Sequence, residues 1–82
     1  MNIYPNPTQD VLNIDLYSTK VQNTTVKVLD MSGRIVKQIQ GRSEIGLNKL
    51  SMSLAEIANG IYTVQVFEND NLTHVSKVKK ND

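Results

Sequence analysis

The 82-residue chain contains no cysteine and no tryptophan, and only one histidine, two prolines and four glycines. Without cysteine no disulfide can staple the fold, and no thiolate can serve as nucleophile or metal ligand. With one histidine, imidazole chemistry rests on His74 alone. No run approaches the roughly 18 apolar residues of a membrane span. The start, Met1-Asn2-Ile3-Tyr4-Pro5, lacks the charged and apolar regions of a secretory signal. Nine Lys and Arg against eight Asp and Glu leave a net charge of +1, too small for a nucleic-acid footprint.

What is present describes an ordinary small globule. A 39% hydrophobic, 21% charged composition is that of a folding chain rather than a disordered one. At 9.2 kDa there is room for one core, and a chain this short buries only about 60–65% of its unfolded surface. Residues 1–82 therefore read as a single domain, with 1–8 as a proline-containing lead-in. Two origins stay open: a small intracellular protein, or a piece of a longer chain whose signal lies elsewhere. Pro5-Asn6-Pro7 directly after the start looks like a linker-to-domain junction and favours the second.

Periodicity predicts strands. Val11 to Tyr17 alternates, with Leu12, Ile14 and Leu16 on one face. Thr24 to Asp30 repeats the pattern with Val26 and Val28. Asp30-Met31-Ser32-Gly33 then reads as a tight turn, Asp bonding amides ahead of it and Gly supplying positive φ. Arg34 to Gln40 is the return strand, carrying Ile35, Val36 and Ile39. Gly41 to Gly46 reads as a polar connection, and Leu47 to Met52 as a strand with Leu50 and Met52 inward. Leu54 to Ala58 has helical character but is too short to stand alone, so it predicts a single turn stopped by Asn59-Gly60.

Ile61 to Glu68 is rich in branched and aromatic residues, with Tyr62, Val64 and Val66 on one face. Glu68 to Asn71 is a loop by composition. Leu72 to Lys80 closes the chain, with Val75 and Val78 as its apolar content. Six such strands, or seven with Ile3-Tyr4, and no long helix predict an all-β antiparallel sandwich.

Candidate chemistry is sparse. His74 has no candidate nucleophile near it in sequence, and a lone titratable group reads as a solvated strand residue. Glu68-Asn69-Asp70-Asn71 is rich in oxygens but lacks the spacing and distal Glu of a calcium loop, so it reads as a turn. Lys77, Lys79 and Lys80 form a basic cluster. They could meet an anionic partner, or could simply guard an edge strand against pairing. Asn23-Thr24-Thr25 and Asn71-Leu72-Thr73 match glycosylation triplets too common to carry weight. No phosphate loop, zinc pattern or glycine-rich nucleotide motif occurs, so neither cofactor nor active site is expected.

Several motifs taken together carry more than any one of them. Tyr4-Pro5-Asn6-Pro7-Thr8 with Val11 and Ile14 opens the chain. Val26-x-Val28-Leu29-Asp30-Met31-Ser32-Gly33-Arg34-Ile35-Val36 follows, then Leu54, Asn59-Gly60-Ile61-Tyr62 and the terminal lysines. In order and spacing they resemble the C-terminal sorting domain of the type IX (Por) secretion system of Bacteroidetes, over essentially the whole chain.

That resemblance implies an immunoglobulin-like sandwich of about seven antiparallel strands. It implies a non-catalytic module at the end of a covalently linked cargo, which reaches the periplasm by its own signal. The outer-membrane translocon then recognises the module. A sortase-like cysteine peptidase removes it at the outer surface, where cargo is released or joined to anionic lipopolysaccharide. Carried onto this chain, Tyr4, Pro5, Asn6 and Pro7 form a stiff, extended lead-in with cleavage upstream, while Asp30 and Gly33 hold the central hairpin. Gly60, Tyr62, Lys77, Lys79 and Lys80 fall in the region that the translocon reads. Asn81-Asp82 departs from the hydrophobic or basic ending of many members. The rival reading is an immunoglobulin-like spacer or a carbohydrate-binding accessory domain of an extracellular enzyme, which could lie internally in its gene.

Overall fold

The computed structural model describes residues 1–81; Asp82 lies outside the described residues. Among them the strands are β1 (Asn2–Tyr4), β2 (Val11–Ser18), β3 (Gln22–Leu29), β4 (Ile35–Ser43), β5 (Gly46–Ser53), β6 (Gly60–Glu68) and β7 (Asn71–Lys80), with no helix. They form two antiparallel sheets, ordered β1-β2-β5 and β4-β3-β6-β7. This is an immunoglobulin-like order with one change. In the constant-type sandwich the fourth strand pairs with the fifth, whereas β4 here crosses to pair with β3. The expected seventh strand, Ile3-Tyr4, exists as β1.

The core forms where the alternating faces meet. Leu12, Ile14 and Leu16 of β2 face Val26 and Val28 of β3 and Tyr62, Val64 and Val66 of β6, all buried. Met52, Leu54 and Val78 complete it, and Ile3, Val36, Ile39, Leu50 and Ile57 pack against its margin. Each fully buried Val, Leu or Ile contributes about 1.5–3 kcal/mol. Truncating a central member such as Leu12 to Ala should cost about 2–5 kcal/mol.

The Asp30 turn forms as its residues dictate. Asp30 Oδ1 accepts the Ser32 and Arg34 backbone N–H groups, both at 3.0 Å, and Gly33 takes φ +89. The β6–β7 loop is a two-residue turn with Asn69 at φ 50 and Asp70 at φ 68, the positive pair that suits the strands' twist. Leu54 to Ala58 is indeed one turn, closed by Ile57 N–H on the Leu54 carbonyl at 3.2 Å.

Two expectations change. The return strand does not stop at Gln40: Gly41 pairs with Thr24, and β4 runs to Ser43. The reason is a buried hydroxyl pair, Thr24 Oγ1 with Ser43 Oγ, which makes polar residues acceptable inside the sandwich. The connection shrinks to Glu44-Ile45, where the Asn48 side chain binds both the N–H and the carbonyl of Glu44 at 2.9 Å. Val75, read as apolar strand content, is 58% exposed, while Val78 is buried.

Candidate functional site

β7 is an edge strand, hydrogen-bonded to β6 on one side. Its register places Lys79 opposite Ile61, Lys77 opposite Thr63 and Val75 opposite Gln65. Since Val78 points inward, period two turns Lys77 and Lys79 outward and Lys80 inward. Lys80 is only 4% exposed, and its Nζ donates to the Ile57 carbonyl at 2.9 Å. Its four-carbon stem lies along the core margin while the ammonium finds a carbonyl, so charge and packing are both accommodated. The three lysines are thus not one cluster: Lys77 and Lys79 face solvent, and Lys80 ties β7 to the single turn before β6.

The outward face carries more than the terminal strand. Lys27 lies across Gln65 from Val75, and its Nζ stands 4.6 Å from the centre of the Phe67 ring. Leu29, Thr63 and Lys77 form the next row, and Ile61 and Lys79 the last. These rows hold three lysines and no carboxylate. Lys27 was missed in the sequence, because 50 positions separate it from Lys77 and only strand pairing unites them.

The lead-in is tied to this strand. The Thr8 N–H donates to the Lys79 carbonyl at 2.9 Å, and the Asn81 N–H donates to the Thr8 carbonyl at 2.9 Å. Asn6 extends the same ladder with its side chain, Oδ1 accepting the Lys79 N–H at 3.1 Å and Nδ2 reaching the Lys77 carbonyl at 3.4 Å. Thr8 is buried, with Oγ1 donating to the Val11 carbonyl at 2.6 Å. The lead-in is therefore no extended arm: it bends at 5–7 and lies parallel to the end of β7, covering the edge that carries Lys77 and Lys79. Pro5 and Pro7 line a surface cleft of about 500 Å³ beside Asn81. Tyr4 Oη donates to Asp15 Oδ1 at 3.1 Å, and this bond holds the phenol above its usual pKa.

The remaining positions are architectural in their contacts. Gly60 pairs with Lys80 at the start of β6. Tyr62 is 6% exposed, and its Oη donates to the Ala58 carbonyl four residues back. This is the tyrosine corner of immunoglobulin-like folds, a ring in the core with its hydroxyl fastening the preceding loop. Arg34 Nε meets Asp30 Oδ2 at 3.1 Å, closing the hairpin turn that Asp30 and Gly33 form. His74 is half-buried, 3.7 Å from Glu68 Oε1.

A lead-in folded onto the terminal strand, a D-x-x-G hairpin and a tyrosine corner now stand in one sandwich. The sequence profile described as the secretion system C-terminal sorting domain matches residues 2–81. The chain belongs to that family. It is a type IX sorting domain of the Bacteroidetes kind, a signal that follows its cargo and serves secretion across the outer membrane. Neither the curated proteins nor the solved structures contain a significant match to this sorting domain. The match spans every motif that carried the resemblance, from Tyr4 to the terminal lysines.

Proposed function

We propose that this sorting domain is a non-catalytic address, read by the type IX translocon on the outward face of its terminal strand. Lys77 and Lys79 are the contact residues, and Gly60, Tyr62 and Lys80 build the shape that presents them. The observation that carries this reading is the clamp of Asn6 and Thr8 on Lys79 and Asn81, which holds two solvent-facing lysines on an ordered backbone. With Lys27 alongside and no carboxylate in those rows, the face suits an acidic partner surface. The fixed strand lowers the ordering cost of binding. The sortase-like peptidase acts upstream of Tyr4, after which cargo is released or attached at the surface.

The test fuses residues 1–82 behind a signal peptide and a fluorescent reporter in a type IX-competent bacterium. Export is expected. A reporter held in the periplasm, where a proven sorting domain exports it, would overturn the reading.

A further inference from the structure

β1 pairs with β2 only from Asn2 opposite Asp15 to Tyr4 opposite Asn13. β2 continues for three residues, Leu16–Ser18, which pair with β5 on one side and, among the described residues, with no strand on the other. An open run of backbone donors and acceptors is a template for another strand. The outward surface beside it is apolar. Tyr17 is 70% exposed, and its register partner Leu47 is 58% exposed. Ile45, just before β5, is 70% exposed. Farther along the same sheet face the outward pairs turn polar, Asp15 with Lys49 and then Asn13 with Ser51, before the less exposed Tyr4 and Val11 at the far end. The most exposed apolar side chains of this sheet, Tyr17, Leu47 and Ile45, are thus gathered at one pole.

The direction of β1 says what arrives there. β1 is antiparallel to β2, so stepping back from Asn2 moves toward Leu16. In that register Met1 faces Leu16, the position before it faces Tyr17, and the one before that faces Ser18. A C-terminal sorting domain follows its cargo, so the chain between them passes this open edge.

We infer that the segment of the full-length protein immediately upstream of Met1 continues β1, pairing with Leu16–Ser18. By strand alternation, the residue opposite Tyr17 sets its side chain on the outward face, against Tyr17 and near Leu47. An apolar residue at that position covers the patch. The inference rests on the sorting-domain reading only for the existence of an upstream chain. Its consequence is an ordered cargo junction: the connection leaves the sandwich as a paired strand, and cutting close to the domain requires peeling that strand from β2.

Hydrogen exchange tests this on the full-length secreted protein and on the 82-residue chain, whose core is self-contained. Because N–H groups alternate between the two sides of a strand, those of Leu16–Ser18 that point away from β5 are expected to exchange at least about tenfold more slowly in the full-length protein. Leu47→Lys in the full-length protein should return them toward the shorter chain's rate while leaving Leu12–Ile14 unchanged. Tyr17→Lys gives a second, independent probe. Equal exchange in the two proteins overturns the inference. So does protection in the short chain that grows with concentration, which assigns the face to a second copy. Reporter export is scored separately, so protection without export would fault the sorting reading and leave the junction strand standing.

Discussion

Asn6 and Lys79 are 73 positions apart, and the side chain of one completes the backbone ladder of the other: Asn6 Oδ1 accepts the Lys79 N–H at 3.1 Å. With Asn6 Nδ2 on the Lys77 carbonyl, a side-chain amide stands in for a backbone residue at the edge of β7. The first motif of the chain thereby restrains the last.

Asn6→Ala should remove both bonds and free the end of β7. The expected loss is about 0.5–1.5 kcal/mol, with faster exchange of the Lys79 amide. Asn6→Asp keeps an acceptor for Lys79 and loses the donor to Lys77, so its effect should be smaller. An unchanged Lys79 amide in Asn6→Ala would show that the clamp does not order the strand.

The three terminal lysines should separate by experiment. Lys77→Glu and Lys79→Glu lie on the solvent face and should leave stability within about 0.5 kcal/mol of the parent while reducing reporter export. Lys80→Ala strips the Ile57 carbonyl of this donor and leaves space beneath β7. It should cost about 1–3 kcal/mol in denaturant unfolding, with export falling only as far as folding does. Full export by the double charge reversal would remove Lys77 and Lys79 from recognition.

The strands were legible because period two acts locally: the alternation of Leu12, Ile14 and Leu16 is written in seven consecutive residues. Lys80 was legible by the same rule, since Val78 fixes the parity of its strand, but a run of lysines reads by composition as surface. Gly41 to Ser43 read as a connection because glycine and polar residues mark loops, and the hydroxyl that makes Ser43 acceptable inside belongs to Thr24. The role of Asn6 had no local signal at all. A residue that completes a ladder 73 positions away is visible only once the two ends meet.

Tyr62→Phe isolates the tyrosine corner. The ring and its burial remain, and only the hydroxyl on the Ala58 carbonyl is lost. A loss of about 0.5–1.5 kcal/mol is expected, well short of the roughly 2–5 kcal/mol of Leu12→Ala. Export by Tyr62→Phe should match the parent wherever the domain is folded. A folded variant that is not exported would instead make the hydroxyl a contact of the translocon.

Asp30 sets one part of the response to acid. Its carboxylate is held below the usual range, first by the Ser32 hydroxyl at 2.7 Å and then by the Arg34 backbone N–H. A lowered folded-state pKa means that the folded chain resists protonation there. The stabilisation is therefore complete above the unfolded carboxyl value of about 3.9, and is lost as pH falls through the lower folded value. Asp30→Asn keeps an oxygen for these donors but removes the charge, so its urea midpoint should fall less steeply than the parent's from about pH 4 downward. Glu56 is lowered in the same sense by the Lys37 ammonium, so the single variant should retain part of the acid limb and Asp30→Asn with Glu56→Gln should retain less. Midpoints that run parallel for the parent and both variants would show that neither carboxylate is linked to folding.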